Sequence, residues 1–266
     1  MHRFIVFFKL IIPQFYRQSS ALFLWAVMFF AAWFFGFHIE YNVADSKIMD
    51  AYLLGRDATM IEVKDYYIFY FSFLVVLSIF VISKVQSLFI SGEITPIILS
   101  SGTSRSSLLC NVVLATFFMV LIPFVVLELV IWASVSIQYG GYLWNPIIPI
   151  LSLAAIFLYI NVMVSALLLV AGSGTSATIF SILICFLIPV ILDVKTQLLY
   201  PLFDDHFFPA FIDVVDVVII SIPTFIGRTH NVIFNEPFTF TFLNVLILIT
   251  AAWFIASSYA LQKKKY

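Results

Sequence analysis

The chain has 266 residues, of which 63% are hydrophobic, 18% are aromatic and only 10% are charged, and its formal net charge is −1. A typical soluble domain is about 45–50% apolar and about 25% charged, so too few polar residues remain here to cover a water-facing surface. This composition excludes a soluble globular domain, a disordered chain and a nucleic-acid binder, and it predicts a multi-pass protein of the inner or plasma membrane.

Six apolar runs are long enough to cross a bilayer, because a transmembrane helix needs about 20 mostly apolar residues, with a range of roughly 17–25. In chain order the predicted spans are Ser20–Phe37, Tyr66–Ser83, Leu108–Ser134, Pro146–Ala171, Ala177–Leu192 and Phe238–Tyr259. The apolar residues are continuous rather than alternating, which favours helices over barrel strands. The predicted fold class is an all-α integral membrane protein with six transmembrane helices in a single domain, residues 1–266.

The segments on either side of the first span differ in character. Residues 1–17 are apolar with interspersed cations, which is typical of an amphipathic interfacial helix on the inner leaflet. A secretory signal is the competing interpretation, but Lys9 and Pro13 interrupt the apolar run and no small-residue cleavage site follows. Residues 37–65 are polar and acidic, so we expect an outer loop or a small cap there.

A seventh apolar stretch, Phe207–Ile226, contains Asp213 and Asp216. A carboxylate at the bilayer centre costs about 2.5–3.5 kcal/mol on insertion scales, so two of them argue against a full span. We expect one or two short re-entrant or interfacial helices on the outer face, before the last span.

The distribution of charge predicts that both termini are inside. With that orientation the inner segments hold eight basic residues and one acidic residue, whereas the outer segments hold five basic and twelve acidic residues. An excess of lysine and arginine marks the cytoplasmic side. The eight inner cations are Arg3, Lys9, Arg17, Lys84, Arg105, Lys263, Lys264 and Lys265.

Two polar residues within the predicted spans are candidates for a translocation pathway. Glu128 is the one acid inside a span, and an intramembrane carboxylate is by default a candidate for a substrate or ion pathway. The alternative is an interfacial glutamate that faces headgroup water, since Glu128 lies far along its helix. Asn161, near the middle of the fourth span, is placed to form a hydrogen bond between helices.

Catalytic motifs are missing from the sequence. It contains no GxxxxGK[ST] phosphate-binding loop, no HExxH, no CxxC and no GxSxG. Cys110 and Cys185 both fall in apolar runs, where cysteine behaves as a small hydrophobe. We therefore predict no catalytic residue, no metal site and no cofactor in this chain.

The connection between the second and third spans, residues 84–105, is longer and more apolar than a loop that only joins two helices. It contains Gly92-Glu93, then the apolar patch Ile97-Ile98-Leu99, and then a Gly-Thr-Ser-Arg turn that ends at Arg105. Either Thr103 or Ser104 can cap the next helix. We expect a short amphipathic helix at the inner surface, held by two turns, whose apolar patch is covered by lipid or by a partner protein.

This segment resembles the loop after the second span in permeases of the ABC-2 type transporter family. That loop reads approximately acid–x–x–Gly–Thr, a leucine-rich stretch and then Pro–x–Ser–Arg. The matching residues here are Gly92, Ile97, Ile98, Leu99, Thr103, Ser104 and Arg105. The chain departs from the pattern in three places: no acidic residue precedes Gly92, Glu93 replaces the threonine and Gly102 replaces the proline. The six spans and the inner termini also agree with that family.

The resemblance implies that this loop is the coupling helix of a membrane permease subunit of an ATP-driven exporter. Gly92, Glu93, Ile97, Ile98, Leu99, Thr103, Ser104 and Arg105 would then contact a separate ATP-binding cassette subunit. That partner would hold ATP and Mg²⁺ and carry out the hydrolysis, and a second permease copy or a related permease would complete the complex. Two alternatives are an integral membrane lipid-modifying enzyme with outer-face carboxylates and a secondary transporter.

Overall fold

The computed structural model describes residues 2–44, 47–53, 63–90, 92, 94–100, 102–189, 221–230 and 241–263. Nearly all of these residues are helical. The helices are α1 (His2–Tyr16), α2 (Ser19–Phe37), α3 (Val63–Ile90), α4 (Ile94–Ser100), α5 (Arg105–Tyr139), α6 (Ile147–Ala171), α7 (Gly174–Ile182), α8 (Ile222–His230) and α9 (Thr241–Lys263). A π-helical segment, Leu183–Leu187, continues α7, and a hairpin of strands β1 (Ile39–Ala44) and β2 (Lys47–Leu53) lies between α2 and α3.

Five of the described helices are long and apolar enough to cross a membrane, namely α2, α3, α5, α6 and α9. This confirms a mostly helical, multi-pass membrane protein. The stretch that corresponds to the predicted fifth span is a shorter apolar helix, Gly174–Leu187. Most of the predicted outer segment Phe207–Ile226 lies outside the described residues, and the described part at its end belongs to α8.

The bundle has two ends that contacts within the chain define. At one end, called here the hairpin end, β1 follows α2 and its Tyr41 contacts Tyr139 in the last turn of α5. At the other, called the α4 end, α4 connects α3 to α5, and Arg105 contacts the last turn of α9. Both α1, which precedes α2, and the C-terminus of α9 therefore lie at the α4 end.

Helix α6 is the centre of the bundle. Buried residues make up 67% of its most apolar window, against 50% in α3 and α5, 39% in α2 and 17% in α9. Residues 161–166 are all buried, so this part of α6 has protein on every side. It ends at Gly172, whose φ of 72° is the left-handed conformation that glycine adopts most readily.

Two of the predicted spans are shorter than the helices that contain them. Helix α3 continues to Ile90, whereas the predicted span ends at Ser83, and α5 covers Arg105–Tyr139, whereas the predicted span is Leu108–Ser134. Residues 85–90 are mostly apolar, and Val85, Gln86, Phe89 and Ile90 are buried. A single exposed cation, Lys84, does not end a helix, because its long side chain can point away from the protein.

The acidic segment after α2 is partly a β-hairpin, so the described fold is not purely α-helical. Strands β1 and β2 are antiparallel and pair Ile39 with Leu53 and Ala44 with Lys47. In β1, Ile39 and Tyr41 are buried while Glu40 and Asn42 are exposed, which is the alternation of a strand with one face on the protein. The expectation of a small cap agrees with this hairpin, and the mostly helical described fold agrees with the predicted all-α class.

Candidate functional site

The connection between α3 and α4 is a tight turn centred on Gly92. The Thr95 amide donates to the Gly92 carbonyl oxygen at 3.2 Å, and the buried Thr95 hydroxyl donates to the Phe89 carbonyl oxygen at 3.0 Å. A Cβ atom on Gly92 would lie 2.6 Å from the Leu88 carbonyl oxygen, which is too close for any side chain. Gly92 is thus required by the close approach of the backbone to the end of α3.

The apolar patch of α4 is divided between two environments. The side chain of Ile97 is 68% exposed, whereas Ile98 and Leu99 are half-buried and pack against the hydrophobic core. The predicted short helix is confirmed, but its exposed apolar surface belongs to Ile97 rather than to all three residues. Glu93 lies outside the described residues.

The second turn leads directly into α5. Gly102 has a φ of 81°, and its amide donates to the Leu99 carbonyl oxygen at 3.2 Å. The Ser104 hydroxyl accepts a hydrogen bond from the Ser107 amide at 3.2 Å, so Ser104 is the N-cap of α5. The predicted cap is confirmed for Ser104, and Thr103 precedes it in the turn.

Arg105 contacts the end of the last span. Its Nη1 donates to the Gln262 carbonyl oxygen at 2.7 Å and to the Leu261 carbonyl oxygen at 3.1 Å. The last carbonyls of a helix have no partner within the helix, and a cation is favourable at this negative end of the helix dipole. The residue that the resemblance assigns to a partner interface therefore also has an intramolecular role.

A buried polar network joins three helices beside this connection. The Nε2 atom of Gln86 in α3 lies 3.1 Å from Thr116 Oγ1 in α5 and 3.2 Å from both Oδ1 and the carbonyl oxygen of Asn161 in α6. Thr116 Oγ1 is 2.6 Å from Asn161 Oδ1. The hydroxyl of Ser165 in α6 lies 2.9 Å from Gln86 Oε1. All four side chains are fully buried.

This network confirms the predicted interhelical hydrogen bond of Asn161. Its amide nitrogen also donates to the Phe157 carbonyl oxygen at 2.8 Å, so both ends of the side chain are bound. A bound amide of this kind holds helices together, and it leaves little capacity to coordinate a solute. Gln86, Thr116 and Ser165 are not among the predicted site residues, although each is a polar residue in or beside a long apolar stretch.

Glu128 lies in the other half of α5 and is fully buried. The expectation that it faces headgroup water is wrong for this fold. Its carboxyl group interacts electrostatically with the Tyr67 hydroxyl, near the start of α3. Twelve residues separate Glu128 from Thr116, which is about 18 Å along the helix axis. The structure therefore does not bring Glu128 and Asn161 into one site.

Aromatic side chains cluster at the hairpin end, and Tyr67 belongs to this cluster. The Tyr41 hydroxyl donates to the Phe35 carbonyl oxygen at 3.1 Å and lies 3.4 Å from the Tyr67 hydroxyl. The Tyr41 amide donates to the Tyr139 hydroxyl at 2.7 Å. The Phe35 and Tyr67 rings stack with centroids 4.3 Å apart. Burial raises the pKa of the Tyr41 phenol well above its ordinary value, although the hydrogen bond with Tyr67 opposes that shift.

Metal coordination finds no support in the described part of the chain, where no group of three or more histidine, cysteine or acidic residues occurs. Cys110 and Cys185 are free thiols there, and the Cys185 sulfur contacts the Met163 sulfur at 3.8 Å. The features that stand out are the α4 connection, the adjoining polar network and the buried Glu128. No protein-family model, no curated protein and no solved structure matches this chain.

Proposed function

We propose that the chain is the membrane permease subunit of an ATP-driven ABC-2 type exporter of the inner or plasma membrane. In this proposal α4 is the coupling helix, and a separate ATP-binding cassette subunit docks against it and hydrolyses ATP with Mg²⁺. A second permease, identical or related, would pair with this chain. The sequence resemblance suggests this function, and the shape of the α4 connection supports it.

The observation that carries the proposal is the exposed Ile97 on a short helix held at both ends. The Gly92 turn and the Thr95 hydroxyl fix the start of α4, and the Gly102 turn and the Ser104 cap follow its end. An isoleucine that is 68% exposed on such a helix is suited to fill a pocket in a partner. Because both ends are fixed, a force on α4 would reach α3 and α5.

A sixth crossing is also part of the proposal. Gly174, at the start of α7, lies at the α4 end, since a Cβ there would be 3.2 Å from Ser87 Oγ of α3. Gly227 of α8 lies at the hairpin end, where its Cβ would be 3.0 Å from Ile68 Cδ1. The chain therefore changes ends between these residues, and Gly174–Leu187 is the apolar helix available for that crossing. Its length of about 21 Å is short for a hydrocarbon core of about 30 Å, and residues 190–192 of the predicted fifth span lie outside the described residues.

The test is recovery of the ATP-binding subunit with the purified chain. We expect Ile97→Asp to reduce that recovery strongly, because it places a charge in the centre of the docking surface. Ile137→Asp is the matched control, since Ile137 is 82% exposed but lies near the opposite end of α5. Each variant is compared at equal membrane expression, by mass spectrometry of the partner and by ATPase activity of the eluate.

Ile98→Asp is less informative, because Ile98 packs against the core and its substitution would also destabilise the bundle. If Ile97→Asp and Ile137→Asp recover the ATP-binding subunit equally, α4 is not the docking helix. If the wild-type chain recovers no ATP-binding subunit, or hydrolyses ATP by itself, the proposed function is wrong.

The burial of Glu128 favours a second candidate, a secondary transporter driven by an ion gradient. A fully buried carboxylate within a span is an expected feature of an ion or proton pathway. In that case solute flux in vesicles would follow an ion gradient without ATP, and Glu128→Gln would abolish it. The carboxylates that a lipid-modifying enzyme would use, at positions 204, 205, 213 and 216, lie outside the described residues.

A further inference from the structure

Helix α9 is the least embedded of the five long apolar helices that the structure describes. Only 17% of its most apolar window is buried, and its buried side chains form one stripe that consists of Leu246, Thr250, Ser257 and Leu261. Ile249, Trp253 and Phe254 beside the stripe are half-buried and pack against the core, and the opposite face of the helix is exposed. A helix with so few fully buried side chains can move away from the bundle at a lower cost than α6 could.

One end of this helix is held by a charged side chain from another element. The two hydrogen bonds from Arg105 reach the carbonyl oxygens of Leu261 and Gln262, at the end of α9. Arg105 is the first residue of α5 and directly follows the connection from α4. The contact therefore ties the end of α9 to the position of the α4–α5 turn.

Toward the middle of the bundle from this contact, α9 forms one wall of an apolar cavity. The cavity has a volume of about 450 Å³ and lies between α5, α6 and α9. Its α9 wall includes Thr250, Ala251 and Phe254, and Cys110 of α5 contributes to the opposite wall. These α9 residues lie near the middle of the helix, and Ile247 and Ala251 in the same wall are exposed, so the cavity is already partly open to the side.

We propose that Arg105 is a positioning residue that holds the end of α9 against α5 and thereby limits the width of this cavity. When the Arg105 bonds break, the end of α9 moves away from α5 and the cavity widens. Because Arg105 directly follows the α4–α5 connection, displacement of that connection would change the width of the cavity. That an ATP-binding partner causes this displacement rests on the function proposed above, whereas the Arg105 contact can be tested in the purified chain alone.

The native cysteines report on the state of the cavity. Cys110 lines it, whereas Cys185 is fully buried against α6 and serves as an internal control. The purified full chain in lipid nanodiscs is treated with N-ethylmaleimide, and the modification of each cysteine is followed by mass spectrometry. We expect Arg105→Ala to increase the rate at Cys110 several-fold and to leave Cys185 unmodified. Arg105→Lys keeps the charge and a donor and should restore most of the protection.

Lys84→Ala is the matched control, because it also removes a cation at the α4 end, from an exposed position on α3. An unchanged Cys110 rate in Arg105→Ala would overturn the proposal. So would equal acceleration at Cys110 and Cys185, or the same effect from Lys84→Ala, because either would mean general loosening or a charge effect.

A second measurement does not depend on thiol chemistry in the cavity. In a background with both native cysteines replaced by alanine, spin labels at Ser106 and Lys263 report the distance between the start of α5 and the end of α9. We expect a narrow distribution for Arg105, a slightly broader one for Arg105→Lys and a broad, longer one for Arg105→Ala. If Arg105→Ala does not fold, Arg105→Met decides, because it keeps the length of the side chain and removes the charge and the donors, and a distribution identical to that of Arg105 in this variant contradicts the proposal.

Discussion

Two buried serines make the same local hydrogen bond, and only one of them also reaches another helix. Ser78 donates to the Leu74 carbonyl oxygen at 2.8 Å, and Ser165 lies 2.9 Å from the Asn161 carbonyl oxygen, four residues back in each case. Ser165 alone has a second acceptor, Gln86 Oε1 on α3. A comparison of Ser165 with Ser78 therefore isolates the contribution of the hydrogen bond between helices from that of the bond within a helix.

We expect Ser165→Ala to destabilise the protein more than Ser78→Ala does. The difference should be about 0.6 kcal/mol, the average for a hydrogen bond between transmembrane helices, and up to roughly 1.7 kcal/mol. The measurement is reversible unfolding of each variant in mixed micelles, followed by circular dichroism. Equal stability of the two variants would show that the Ser165–Gln86 bond contributes nothing.

Gly92 offers a sharper test of backbone packing. A methyl group at this position would approach the Leu88 carbonyl oxygen to 2.6 Å, and a backbone atom cannot rotate away. We expect Gly92→Ala to cost about 1–3 kcal/mol, as overpacking typically does, and to increase proteolysis within residues 91–104. Gly141→Ala is the control, because nothing lies within 4 Å of the added atom there. A normal melting temperature for Gly92→Ala would show that this turn is not tightly packed.

Among the structural elements, the β-hairpin depends most clearly on a few contacts. Its Tyr41 amide donates to the Tyr139 hydroxyl, and its Tyr41 hydroxyl reaches the end of α2. Tyr139→Phe removes the acceptor and should increase hydrogen exchange of the Tyr41 amide, with a loss of about 0.5–1.5 kcal/mol in protection. Tyr142→Phe is the control, since Tyr142 is 80% exposed. If both variants exchange equally, the Tyr139 hydroxyl does not hold the hairpin.

The sequence contains a signal for this hairpin that is independent of the apolar spans. Ile39, Tyr41 and Val43 alternate with Glu40 and Asn42, which is the period of a half-buried strand. The acidic composition of residues 37–65 obscured it, because acidity indicates a solvent-facing loop and says little about backbone conformation. Which tyrosine contacts which depends on tertiary packing and could not be predicted.

The long apolar helices could be predicted because each satisfies its backbone hydrogen bonds internally and is apolar along its whole length. The environment of a particular polar residue could not be predicted in this way. The sequence places Gln86 in the connection of residues 84–105, yet α3 continues to Ile90 and buries Gln86 against Thr116 and Asn161. The alternative that Glu128 faces headgroup water rests on its depth alone, whereas its orientation around α5 buries it. The depth of a residue in the membrane can be counted from the sequence, but the direction in which its side chain points around the helix axis depends on the neighbouring helices.

At the scale of the whole molecule, the two ends of the bundle differ in charge. Six described cations belong to elements at the α4 end, namely Arg3, Lys9, Arg17, Lys84, Arg105 and Lys263, against three at the hairpin end, Lys47, Lys64 and Arg228. The hairpin end has acidic residues such as Glu40 and Asp50 on the hairpin. An excess of lysine and arginine marks the cytoplasmic side of a membrane protein, so we expect the α4 end inside and the hairpin end outside.

Single cysteines at the two ends test this orientation. Tyr142 is 80% exposed in the connection between α5 and α6 at the hairpin end, and Lys263 is exposed at the end of α9. With Cys110 and Cys185 replaced by alanine, Tyr142→Cys should react with an impermeant maleimide in intact cells, and Lys263→Cys should react only after permeabilisation. The opposite pattern would reverse the orientation and place α4 where no cytoplasmic ATP-binding subunit could contact it. Labelling of both cysteines in intact cells would contradict the assignment of the two ends to opposite sides of the membrane.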